Sequence, residues 1–220
     1  MEPLAAIDER CKVCDQTYLA TQRDCRNPVC AMRERWFAWN YAAAVRSGVI
    51  RTALNDYKFR DRTEWAAIFG RILVGFLDAN QRLFEEVDLI VASPCYTGPG
   101  GRRTWDHIRV ILTAADTEQD PSGRWPFDLA DPPAVIKTAE IEPMVGKSYQ
   151  ERRAHAEGAL RGVLEVPDPA RTRGRRIVVV DDVFTDGLTL REVARVLCQE
   201  GGASEVDGVS LTRQPYGRGR

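Results

Sequence analysis

The hydrophobic and polar positions divide the chain into alternating strands and helices. Residues 64–83 place Trp65, Ile68, Phe69, Ile72, Leu73, Phe76 and Leu77 at i, i+3, i+4 spacing, which predicts a helix with one face on a core. Val87–Ala92 is a short apolar run closed by Ser93-Pro94 and predicts a buried strand. Residues 104–115 again predict a helix, and 35–57 an apolar-rich, partly helical stretch. Pro121, Pro126, Pro132 and Pro133 mark 116–134 as a loop or insertion. Ala134–Lys137 and Leu160–Val166 read as strands, with a polar turn over 167–175. The clearest unit is Ile177–Val180, a β-branched run ending in Asp181 and Asp182, then a Thr/Gly turn and a helix with Leu190, Val193, Ala194 and Leu197 on one face. Gly201-Gly202 closes that helix, and Val206–Leu211 supplies a last strand. This alternation predicts an α/β fold with a doubly wound, mostly parallel sheet.

The turn after Asp182 carries the chemistry. Open α/β sheets hold ligands at the C-terminal edge of their strands, and a helix that starts beside a glycine offers free amides and a positive dipole end to a phosphate. The segment Thr185-Asp186-Gly187-Leu188-Thr189 is the predicted cradle, with Thr189 and Glu192 spaced as a capping box. Two carboxylates beside that cradle repel a bare phosphate, so the ligand must bring hydroxyls or a Mg²⁺ ion for Asp181 and Asp182. A sugar phosphate meets both demands. The plainer alternative is a strand–turn–helix whose acids merely cap a loop.

This signature resembles that of the type I phosphoribosyltransferases, in which an apolar strand and two acids precede Thr-Thr-Gly-x-Thr. Asp181, Asp182, Thr185, Gly187 and Thr189 match, whereas Asp186 stands at the usual second Thr. A carboxylate there opposes an anion unless it points outward or meets a cation.

The cysteines add a second unit. Cys11, Cys14, Cys25 and Cys30 are spaced C-x2-C-x10-C-x4-C, a pattern that lets four thiolates converge on one structural Zn²⁺. Free cysteines and a redox CxxC are the alternatives. The predicted division is a zinc-ribbon-like segment over 1–34 and an α/β domain over 35–220. Lys and Arg number 31 against 32 Asp and Glu, so the overall charge lacks the basic excess of a dedicated nucleic-acid binder. The locally basic tail Arg213–Arg220 reads as a solvated end. The N-terminus lacks signal-peptide regions and no run reaches membrane-spanning length, so a cytoplasmic protein with no membrane association is expected.

With the cysteines included, the chain resembles the ComF family, phosphoribosyltransferase-like proteins with an N-terminal zinc ribbon, some linked to DNA uptake in competence. Residues 50–62 resemble its segment with a central Lys followed by an aromatic, which places Lys58 on it. Residues 88–95 resemble its strand and Pro-containing loop, Arg103–His107 its Arg-Gly-Phe-Asn-Gln, and 152–160 its Arg-rich stretch. The resemblance implies phosphoribosyl pyrophosphate as donor with Mg²⁺, and transfer of the phosphoribosyl group to a base or amine with release of pyrophosphate. It implies Asp181, Asp182, Arg103 and Arg153 as catalytic residues, with Thr185, Asp186, Gly187, Leu188, Thr189, Ser93 and Arg152 binding substrate. It also implies a flap over 138–157. Two alternatives stand beside a transferase: a non-catalytic sensor of the same donor or a nucleotide, and an accessory of DNA uptake that meets single-stranded DNA or competence and recombination proteins.

Overall fold

The computed structural model describes residues 10–17 and 25–216, so parts of the predicted 1–34 segment and the end of the basic tail lie outside the described residues. A four-stranded parallel sheet forms the centre, in the order β1 (Asn40–Val45), β6 (Glu205–Arg213), β5 (Arg176–Phe184), β2 (Leu89–Ala92). β5 is in parallel register on both sides, Val180 facing Ala92 of β2 and Val209 of β6. Its side chains alternate between two cores, as the pleat dictates. Val178 and Val180 join Leu54, Tyr57, Phe69, Leu73 and Ile111 from helices α1 (Gly48–Phe59), α2 (Trp65–Ala79) and α4 (His107–Glu118). Ile177 and Val179 join Leu190, Val193, Ala194 and Leu197 of α6 (Leu188–Gln199) on the other face. The sheet is therefore covered by helices on both sides, the doubly wound α/β arrangement that the sequence predicts.

The periodic elements fall where expected, with four corrections. The stretch 35–57 contains strand β1 ahead of α1. Its Asn-Tyr-Ala-Ala-Ala-Val sequence is poor in β-formers, and it is a strand because it pairs with β6, Asn40 against Gly208 through Val45 against Arg213. The helix predicted over 64–83 breaks at Asn80, and a short α3 (Gln81–Phe84) follows. The strand predicted over 160–166 shrinks to β4 (Leu164–Glu165), antiparallel to β3 (Ile136–Lys137), because α5 (Tyr149–His155) continues as a π turn through Leu160 and a 3-10 turn through Val163. The strand after the turn of interest also runs past its acids to Phe184.

Both sheet edges are covered in part. Along β2, the amide of Ile90 donates to Pro126 O (2.8 Å) and Asp128 N donates to Ile90 O (2.7 Å), so the Pro-rich insertion lies as a bridge beside the strand. Along β1, Asn40 N donates to Val13 O (2.8 Å) and Ala42 N to Asp15 Oδ2 (2.9 Å). The cysteine-bearing segment therefore borders the sheet, and Cys11, Cys14 and Val29 belong to the core that α6 closes.

Candidate functional site

Asp181 and Asp182 are adjacent on β5, so they leave opposite faces of the sheet and enter different surroundings. Asp182 shares the parity of Val178 and Val180 and meets α1 and α4. Lys58 Nζ lies 2.5 Å from its Oδ2 and His107 Nε2 4.0 Å from its Oδ1. Burial opposes its ionisation, but the Lys58 charge and the His107 contact outweigh that and hold the carboxyl well below the usual range. Asp181 has no ion pair among the described residues and accepts the Asp182 amide at 2.9 Å. Burial, and then the neighbouring Asp182 charge, push it up to about 7. The two acids that read as equivalent in sequence are thus one ion-paired structural carboxylate and one carboxyl poised near neutrality.

Lys58 and His107 are the site residues that sequence reasoning missed. Lys58 stands one residue from the end of α1 and His107 opens α4, whose start is capped by Asp106 accepting from Ile108 N and Arg109 N at 3.0 Å each. Tyr57 Oη donates to His107 O (2.7 Å) and ties the two helices together. Burial lowers the His107 pKa, against the pull of Asp182, so a neutral imidazole is favoured there. The available signal was Lys58 in the family-like segment 50–62, but its partner is remote in sequence.

The turn has its glycine where the backbone demands one. Gly187 has φ 82°, and a Cβ on it would lie 2.6 Å from Phe184 Cζ and 3.1 Å from Val29 Cγ1. Strain and clash both select glycine. α6 begins at Leu188 with Gly187 as its N-cap, so the predicted Thr189–Glu192 capping box does not form. Glu192 is instead fully buried, with Arg161 Nε at 2.8 Å, Arg191 Nη1 at 2.9 Å and Arg195 Nε at 3.3 Å. Three guanidiniums outbid one backbone amide for a buried carboxylate. Asp186 fills the capping role by accepting from Leu188 N (3.2 Å). It also meets a cation, Arg152 Nε at 2.6 Å, which offsets the charge that set it apart from the usual Thr.

The remaining predicted residues divide. Thr185 is exposed, Leu188 is buried, and Thr189 lies half-buried in the first turn of α6. Ser93 is buried directly after β2, its amide donating to Val180 O (2.8 Å), so it stands beside the C-terminal end of β5. Arg103 lies over the exposed ring of Phe59, 5.5 Å from its centroid, and has no ion pair among the described residues. Arg152 is bound to the turn, whereas Arg153 is turned to Glu157 (3.0 Å) on the helix surface and does not join the group. The predicted flap ends in α5 and the π turn after it; Arg152 fastens α5 to Asp186 of the turn, and the Arg191–Glu157 pair (2.8 Å) fastens the π turn to α6.

The four cysteines converge. Their sulfurs all lie within 4.8 Å of one another, Cys11 to Cys30 at 3.7 Å and Cys14 to Cys25 at 3.5 Å. Four sulfurs about 2.3 Å from a central Zn²⁺ stand about 3.8 Å apart in a tetrahedron, so this donor set fits a structural metal centre. Asn27 N donates to Cys25 Sγ at 3.5 Å, as amides do around a metal-bound thiolate.

No protein-family model matches the chain. Among curated proteins, it is 31% identical over 153 residues to the DNA utilization protein YhgH of Escherichia coli K12, across 69% of this chain. That match spans 62% of the relative's length. Orotate phosphoribosyltransferase of Halorhodospira halophila is 41% identical over 49 residues, 22% of this chain and 23% of that protein. The orotate phosphoribosyltransferase of Acinetobacter baumannii is 33% identical over 94 residues, 43% of this chain and 41% of that protein. Among the described residues no helix is long and apolar enough to cross a membrane. The doubly wound sheet, the acid pair leading into a glycine turn, the converging cysteines and these relatives all agree with the resemblance to the ComF family of phosphoribosyltransferase-like proteins.

Proposed function

We propose that the chain binds phosphoribosyl pyrophosphate with Mg²⁺ at the β5–α6 turn and transfers its phosphoribosyl group to a base or amine. The observation that carries this reading is a carboxyl with no ion pair among the described residues, Asp181, followed along the chain by a glycine-started helix at the C-terminal edge of a parallel sheet. The 5′-phosphate would lie on the amides of Thr189 and Leu190, which the first turn of a helix leaves unpaired. Asp181 would accept a ribose hydroxyl, and Ser93 and Arg103 would supply donors to the leaving pyrophosphate. Magnesium, when bound, offsets the pyrophosphate charge. In the transfer, the acceptor nitrogen bonds to the anomeric carbon as the carbon–oxygen bond to pyrophosphate breaks. Pyrophosphate leaves with the electron pair and the acceptor loses a proton. Positive charge builds on the ribose ring, close to the Asp181 carboxylate. Asp182 serves differently: paired with Lys58, it fixes the strand end from below.

The four cysteines would hold one structural zinc, and a protein that keeps them as thiolates belongs in the cytoplasm. A second reading, a role in handling DNA, is favoured by the similarity to the DNA utilization protein YhgH. Calorimetry with phosphoribosyl pyrophosphate tests the first. Binding is expected only with Mg²⁺ present, and Asp181→Asn should weaken it by about tenfold or more through loss of a charged acceptor. Absence of binding by the wild type, or equal affinity in the variant, overturns the reading. A pyrophosphate-release screen across purines, pyrimidines and amines then separates a transferase from a sensor.

A further inference from the structure

We propose that Asn27 is a positioning residue through which the cysteine knuckle sets the shape of the β5–α6 turn; its consequence for phosphate binding rests on the function proposed above. Asn27 is 1% exposed and all of its polar groups are committed. Its amide donates to Cys25 Sγ (3.5 Å), its Oδ1 accepts from Val29 N (3.3 Å), and its Nδ2 donates to Thr185 O (3.3 Å). One residue thus spans from a sulfur of the converging set to the first carbonyl of the turn. The direction of its side-chain amide is fixed by its partners, since Val29 offers only a donor and Thr185 only an acceptor at those points.

A purely local role is easy to state: Oδ1 caps the short 3-10 helix Pro28–Ala31. That role needs only an acceptor, which aspartate supplies equally well. The Nδ2 bond reaches across 158 positions of sequence and serves no cap. Further contacts lie along the same seam. Val29 Cγ1 lies over Gly187, 3.1 Å from where a Cβ would stand, so the knuckle packs directly on the residue that turns the chain into α6. Arg191 of the first α6 turns donates to Glu34 O at 2.9 Å. The turn therefore takes its outer wall from the knuckle, and converged sulfurs are what keep Asn27 and Val29 in place.

The test compares full-length, zinc-loaded wild type with Asn27→Asp, which keeps the cap and removes the donor. Hydrogen exchange is followed at Leu188 and Arg191, whose amides the turn's own bonds protect through Asp186 Oδ1 and Gly187 O. Exchange is expected to quicken by about tenfold in Asn27→Asp at unchanged zinc content, and equally in the wild type after chelation. Unchanged exchange in either case overturns the proposal. Should Asn27→Asp lose its zinc, Val29→Ala decides, because it opens the contact over Gly187 and leaves every sulfur and every Asn27 bond in place: faster exchange supports the coupling and unchanged exchange ends it. Calorimetry with phosphoribosyl pyrophosphate and Mg²⁺ gives the functional arm. About tenfold weaker binding by Asn27→Asp supports the consequence, and equal affinity overturns it. A wild type that does not bind removes the proposed function alone, while exchange still decides the role of Asn27.

Discussion

The β5–α6 turn and the cysteine knuckle touch along a shared seam, yet they hold their shapes by opposite means. The turn hangs from a strand laddered on both sides and enters a twelve-residue helix. The acids of the turn and of the helix it enters have counter-charges, Asp186 with Arg152 and Glu192 with three arginines. The described knuckle has one isolated bridge, Arg10 to Thr17, and one 3-10 turn, and otherwise depends on the meeting of four sulfurs. One region is ordered by backbone and packing, the other by the ion its side chains can hold. A perturbation should therefore reach the turn gradually and the knuckle abruptly.

The largest effect expected is on the knuckle. Cys11→Ser should drop bound zinc from one per chain toward zero and expose the amides of residues 25–34 to exchange, while β5 and β6 stay protected; metal analysis and hydrogen exchange check both. Retained metal in that variant would erase the contrast. Next comes the turn's own anchor. Lys58→Met leaves Asp182 a buried, unpaired carboxylate and should cost about 3 kcal/mol in chemical denaturation, with the Asp182 pKa rising in carboxyl NMR titration. The smallest effect is a slope. Asp181 is raised to about 7 by burial and Asp182, and Asp207 to about 7 by burial and Glu205. An acid raised on folding binds its proton more tightly in the native state, so stability falls as pH rises from about 4 to about 7 and levels off above. The decline is expected at up to about 1.4 kcal/mol per pH unit for each acid over that window, and is partly flattened by Asp181→Asn. The lowered Asp182 acts elsewhere, losing its contribution only below pH 4.

What was legible in the sequence follows the same contrast. β5, α6 and α2 were readable because long periodic apolar runs decide their own fate, and the cysteines because their spacing is local. β1 was not, since Ala42, Ala43 and Ala44 favour helix and only the neighbouring β6 makes them a strand. The Thr189–Glu192 pattern has the spacing of a cap, but the arginines that claimed Glu192 include Arg161, in a different turn of the chain. Asp181 and Asp182 looked alike because sequence order does not tell which face of a pleated strand a side chain leaves from, nor that Lys58 waits on one of them. Local pattern was sufficient for the long periodic elements and for the turn; β1 and the charge pairings required the fold.

The two flanks of the sheet bear on how the chain behaves in company. A parallel sheet of only four strands has outermost rows of amides that invite another chain to zip on. Here Pro126 and Asp128 occupy one row, and Val13 with Asp15 occupies part of the other. Stripping the metal should loosen the second guard and leave the first untouched, so clumping on chelation would start at Asn40–Val45, and proteins of this build would owe part of their colloidal tolerance to zinc supply.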